Sequence, residues 1–204
     1  FQLMDPSPTL DVAIITSITE NHLDYHTDMN EYITAKKSIL QNAKRCVLPY
    51  DSQLIRSFAG GKNVTFVSLN DISHIKSDKI YIKGGYIFKN DTQLLDVSRV
   101  LLRGKFNLLN LMLAIGAMPY IDDEAIQRVA YSFCGVPHRM ELVREIDGIS
   151  FYNSSIDTTP SRTLATLSAF DKEKTVIILG GYDKNLSYHC LKEGLENIKC
   201  AILL

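Results

Sequence analysis

Residues 12–18 read VAIITSI, residues 19–26 read TENHLDYH, and residues 29–43 read MNEYITAKKSILQNA. The first stretch is β-branched and free of charge, which suits a strand covered on both faces in a parallel sheet. The third puts Met29, Tyr32, Ile33, Lys36, Ile39, Leu40 and Ala43 at helical spacing, with Thr27 or Asp28 as N-cap. Strand, polar turn, helix is the building unit of an open α/β sheet, and such sheets place ligands beyond the C-terminal ends of their strands. His22 falls at that edge. Periodicity turns Lys36 toward the apolar side of its helix and Lys37 outward. A neutral imidazole at such a place can hold a divalent ion beside a phosphate, and a half-buried lysine can be reactive. The plainer readings are a hydrogen-bonded loop histidine and a lysine whose stem lies along apolar surface.

Outward from this unit the alternation continues. Residues 46–49 and 64–69 read as strands, and residues 79–82 and 86–89 as a hairpin turned at Gly84-Gly85. Residues 108–118 form an apolar helix stopped by Pro119, and residues 122–133 a second helix capped by Asp122. The composition changes at Cys134-Gly135-Val136-Pro137. Beyond it, residues 140–144 and 149–152 flank Asp147-Gly148, a second hairpin signal. Pro160 suits the first turn of a helix running to Phe170. Residues 175–179, 188–195 and 199–204 then read as strand, helix, strand. The expectation is an α/β protein with a mixed sheet and helices over residues 1–136, followed by a partial Rossmann-like domain over residues 137–204.

The chain has 204 residues, 46% of them hydrophobic and 22% charged, with a net charge of -1. That balance argues against a nucleic-acid or anionic-membrane partner. Its apolar runs are too short for a membrane span. The four cysteines, Cys46, Cys134, Cys190 and Cys200, are scattered. Their spacing fits small buried hydrophobes in a reducing, cytoplasmic setting better than a zinc site or a disulfide framework. The chain opens at Phe1 and stops at Leu204 inside an apolar run, so it is expected to be a piece of a longer protein.

Further groups of residues carry chemical potential. Asn107 and Asn110 lie one turn apart at a helix start, where free backbone N–H groups can meet an anion. An N-cap role would explain Asn107 alone. Arg139 at the composition change can bind phosphate in bidentate fashion, or pair with Glu141 on the surface. Residues 153–160 (NSSIDTTP) and Gly180-Gly181-Tyr182-Asp183-Lys184 both follow strands, and a hydroxyl-rich loop with Lys184 suits a carboxylate substrate. Ordinary Asx and Ser/Thr turns are the plainer reading.

Taken in order, TENHLDYH with EYITAKKSI, GKFNLLN, FCGVPHRMELV, FYNSSIDTTPSRT and ILGGYDK resemble the Mur ligase family over essentially the whole chain. GVPHRMELV with ILGGYDK points to the branch that adds D-glutamate. The resemblance implies an ATP-dependent ligase that joins D-glutamate to UDP-N-acetylmuramoyl-L-alanine through an acyl phosphate, in peptidoglycan precursor synthesis. It implies that this chain spans the second half of a central ATPase domain and the first half of a C-terminal domain, within a monomeric protein. It implies that His22 and a carbamylated Lys36 hold Mg2+, that Asn107, Asn110 and Arg139 serve ATP, and that Thr158 and Lys184 lie near the D-glutamate carboxylates.

The pattern departs in two places. Phe106 stands where relatives often have histidine. Residues 153–159 read NSSIDTT where many relatives read NDSKATN, so the acid moves to Asp157, which is expected to supply the nucleotide contact. The glycine-rich phosphate loop and the UDP-sugar domain are not in the sequence, so the 204-residue piece alone is expected to be inactive. Two other readings stay open: a silent homologue kept as a binding protein, for which the altered loop speaks, and a ligase like folylpolyglutamate synthase.

Overall fold

A computed structural model describes residues 9–19, 26–182, 187–196 and 198–204. The chain divides into two compact units. The first comprises Phe1–Leu101 and Leu108–Ser132, and the second Leu102–Asn107 and Phe133–Leu204.

The first unit is built on a six-stranded sheet in the order β1-β2-β3-β4-β5-β6. Its strands are β1 (Leu10–Ile14), β2 (Ala43–Pro49), β3 (Val64–Ser68), β4 (Lys79–Lys83), β5 (Tyr86–Lys89) and β6 (Thr92–Asp96). β1 to β4 pair in parallel, whereas β4, β5 and β6 pair antiparallel. The expected mixed α/β architecture is what the chain forms.

Alternation along the parallel strands sends side chains to opposite faces. Cys46, Leu48 and Phe66 join Ile15, Leu40, Ile55 and Phe58 on one face, beside α1 (Met29–Ser38) and α2 (Gln53–Arg56). Val47, Val67, Ile80 and Ile87 join Met112, Leu113, Ile115 and Ile126 on the other. These last four belong to α3 (Lys105–Ala117) and α4 (Asp123–Ala130). α3 lies so close to the sheet that a Cβ at Gly116 would stand 2.8 Å from Val47 Cγ1. The Gly116 carbonyl accepts from Arg45 Nη2 at 2.8 Å, and the same nitrogen reaches Thr65 Oγ1 at 2.9 Å. Arg45 thereby satisfies a carbonyl left open at the end of α3.

Local chemistry sets the element ends. Asp28, not Thr27, caps α1, its Oδ1 accepting from Glu31 N at 2.9 Å. α1 stops at Ser38, short of the expected Ala43, because Ala43 is already paired with Leu10 in the sheet. Gly84 and Gly85 turn the β4–β5 hairpin at φ 58° and 84°, the backbone of a type I′ turn. α3 begins at Lys105, three residues before the apolar run.

The second unit holds two small sheets. β7 (Glu141–Ile146) and β8 (Ile149–Asn153) form the expected antiparallel hairpin about Asp147-Gly148. Following them come α5 (Pro160–Leu167), β9 (Val176–Leu179), α6 (His189–Leu195) and β10 (Cys200–Leu203). β9 and β10 pair in parallel, so β9–α6–β10 is one βαβ unit.

Candidate functional site

In the first unit the described part of the candidate site centres on α1. Glu31 and Thr27 close the start of this helix reciprocally. Thr27 N and Oγ1 donate to Glu31 Oε2 at 2.7 and 2.6 Å, while Asp28 accepts from Glu31 N. The hydroxyl and amide of Thr27 hold the Glu31 carboxyl below its ordinary range. One turn on, Tyr32 is buried, with the His26 ring edge-on at 5.4 Å. Lys36, half-buried, carries its Nζ 5.5 Å from the Tyr32 ring centroid. The i, i+4 spacing of Tyr32 and Lys36 produces that contact. Lys37 is exposed, as periodicity implied, with its ammonium over the Phe58 ring at 5.3 Å.

His22 lies outside the described residues, as does Lys184. Among the described residues no three His, Cys, Asp or Glu side chains converge as a metal site. Mg2+ takes hard oxygen donors, and a lysine amine is not one. The described residues therefore do not by themselves make a magnesium site.

Asn107 is buried, and it is not the N-cap that a helix starting at Leu108 would need. It sits inside the first turn of α3, where its Nδ2 donates to Arg103 O at 2.9 Å and approaches Met140 Sδ at 3.8 Å. Asn110, one turn along α3, is half-buried.

Arg139 stands between two residues with left-handed backbone, His138 at φ 65° and Met140 at φ 48°. Neither is glycine, and each such residue costs roughly 1–2 kcal/mol. The surroundings hold this shape. His138 N donates to Glu141 Oε2 at 2.8 Å, and Arg139 N to Val136 O at 3.3 Å. Met140 N donates to Ser154 Oγ at 3.2 Å, and Ile156 N to His138 O at 3.2 Å. The Glu141 carboxylate thus serves the backbone, and no Arg139–Glu141 ion pair occurs among the described residues.

Asp157 is not simply a free carboxylate at a loop tip. Its Oδ2 accepts from Ser154 Oγ at 2.7 Å and from Thr166 Oγ1 of α5 at 2.6 Å. Thr158 is exposed just beyond it, and Thr159 is buried at the start of α5. The structure therefore brings Asn107, Arg139, Ser154 and Asp157 into one bonded neighbourhood through Met140. Reading the sequence alone missed Met140 and Thr166. Left-handed backbone at a histidine and a methionine leaves no signature such as glycine would give, and Thr166 looks like any helix-surface threonine.

The Mur ligase middle domain model matches residues 6–118. The UDP-N-acetylmuramoylalanine--D-glutamate ligase of Ruminiclostridium cellulolyticum is 41% identical over 215 aligned positions, which take in 100% of this chain and 45% of that protein. The chain thus spans about half the length of the curated relatives it matches. Among solved structures, a pseudomurein peptide ligase type C from Methanothermus fervidus superposes with TM-score 0.68 at 18% identity, covering 96% of this chain and 53% of that one. Folylpolyglutamate synthase from Mycobacterium tuberculosis does so with TM-score 0.65 at 17% identity, covering 96% and 48%. At those identities the two structures speak for the fold alone. With the family model matched over more than half of its residues, the chain belongs to the Mur ligase family, residues 6–118 matching that family's middle domain.

Proposed function

We propose that the chain is part of an ATP-dependent ligase that adds D-glutamate to UDP-N-acetylmuramoyl-L-alanine in peptidoglycan precursor synthesis. The observation that carries this reading is the 41% identity running the whole length of the chain, through both compact units and not the middle domain alone. Residues 1–136 are then the later part of the ATP-binding domain, and residues 137–204 the earlier part of the domain that follows. The protein works in the cytoplasm as a monomer. Among the described residues no helix is long and apolar enough to cross a membrane.

In this reading ATP is bound with Asn107, Asn110 and Arg139 among its ligands. Arg139 suits the task, being half-buried and free of the Glu141 pairing that would blunt it. Mg2+ is assigned to His22 and Lys36. The amine of Lys36 becomes an oxygen donor only as a carbamate, whose negative charge would leave the face of Tyr32, since that face attracts cations. Thr158 and Lys184 are assigned to the D-glutamate carboxylates.

The test uses the full-length gene product. ADP release is followed with ATP, Mg2+ and UDP-N-acetylmuramoyl-L-alanine, with and without D-glutamate, beside Lys36→Ala. The reading requires D-glutamate-dependent ADP in the wild type and a loss of about 100-fold or more in the variant, the scale of a lost electrostatic group at a transferring phosphoryl. Folded protein that turns over with no amino acid would instead favour the silent homologue.

A further inference from the structure

We infer that Asp157 is a positioning residue for Arg139 rather than a ligand of the nucleotide. The inference rests on the ligase reading only for the identity of what Arg139 binds. A sequence comparison casts Asp157 as a replacement for the acid missing at Ser154. The geometry gives it other work. Both of its hydroxyl partners fall on one oxygen, Oδ2, at 2.6 and 2.7 Å, the short lengths of charge-assisted bonds.

One of these partners, Ser154 Oγ, also accepts from Met140 N at 3.2 Å. A continuous path therefore runs from Thr166 on α5 through Asp157 and Ser154 to the backbone beside Arg139. On the other side of Arg139, Ile156 N holds His138 O at 3.2 Å, and Asn153 Nδ2 meets His138 Nδ1 at 2.9 Å. The segment 153–157 thus ties both neighbours of Arg139. Both of those neighbours are held in left-handed backbone. Left-handed conformation at non-glycine residues persists only where the surroundings impose it. Freed of the Ser154 bond, Met140 would relax and Arg139 would turn with it. Ser154 and Asp157 act as a pair: the serine hydroxyl accepts from Met140 N while donating its own proton to Asp157, which fixes its orientation.

A double-mutant cycle in the full-length protein separates positioning from direct contact. ATP–Mg2+ affinity is measured by calorimetry, with the KM for ATP and for D-glutamate beside it. Asp157→Ala is expected to weaken ATP about tenfold, as misplacement of a binding group does, with the KM for D-glutamate unchanged. Asp157→Asn, which keeps a carbonyl acceptor for one hydroxyl, is expected to recover most of that loss. In an Arg139→Ala background Asp157→Ala should change ATP affinity by less than about twofold.

Losses that simply add across the two backgrounds would overturn the inference, because a carboxylate touching the nucleotide itself does not need Arg139. A loss equal for ATP and D-glutamate would overturn it too, as general loosening of the unit. Should the wild type bind ATP but form no D-glutamate-dependent ADP, the ligase reading fails while the binding cycle still decides the role of Asp157.

Discussion

β3 and β9 are strands of the same chemical kind in very different surroundings. VTFVS of β3 is buried at every position. VIIL of β9 alternates between exposed and half-buried, and CAIL of β10 is exposed throughout. β3 has a parallel neighbour on each side and core side chains on both faces. Among the described residues β9 has β10 as its sheet neighbour. An apolar, β-branched run specifies extended backbone, but what covers it depends on elements elsewhere in the chain. Within the 204 residues of this chain, the first unit therefore has a closed core, and the second is held by hairpin pairing, the α5–α6 contact and polar ties such as Asp157.

The sharpest way to break this contrast is a pair of truncations. Leu48→Ala, at a fully buried position of β2, is expected to cost about 2–5 kcal/mol. In the same 204-residue chain, Ile178→Ala, in β9 and 64% exposed, is expected to stay within about 0.5 kcal/mol. Urea unfolding curves measure both, and equal losses would mean that β9 is as well covered as β2.

Gly116→Ala comes next. The new Cβ at 2.8 Å from Val47 Cγ1 forces that side chain or α3 to shift, costing about 1–3 kcal/mol and offset in part by about 1 kcal/mol of gained helix propensity. Thermal unfolding should show net destabilisation, and a raised Tm would mean the sheet yields there. Asp28→Ala removes the cap of α1 and should cost about 1 kcal/mol by the same assay.

The smallest effect is one of pH. Asp71 has its carboxyl pulled from 3.8 to about 2, chiefly by the Ser73 backbone N–H, then the Ser73 hydroxyl, with Lys83 assisting. Because the folded value is the lower one, its contribution is complete above the unfolded value of 3.8 and fades as pH falls through about 2. Asp71→Asn should flatten the acid limb of the stability curve in that window and leave neutral pH nearly untouched. An unchanged acid limb would remove Asp71 from the account.

Much of this architecture is legible in the sequence because its signals are local. The Gly84-Gly85 and Asp147-Gly148 turns, the Asp122 cap and the apolar runs of β2 and β3 each declare themselves within a few residues. β6 and the short α2 escape such reading. TQLLD of β6 is brief and flanked by turn residues, and its place depends on pairing with β5. The candidate site is legible as a list but not as an arrangement. Lys36 declares itself by spacing, and so does its seat over Tyr32 one turn back, whereas the edge-on His26 ring requires the fold. Asp157 is visible as a displaced acid, but its two hydroxyl partners come from different elements, and no spacing rule links Ser154, Asp157 and Thr166.

The measurement that tests the central claim most directly is identification of the product. The full-length gene product is given ATP, Mg2+, UDP-N-acetylmuramoyl-L-alanine and an equimolar mixture of isotopically distinct D- and L-glutamate, and the nucleotide-sugar fraction is weighed by mass spectrometry. The account predicts a single amide product carrying the D-glutamate label. Unmodified UDP-N-acetylmuramoyl-L-alanine, or a product carrying the L-glutamate label, would contradict it.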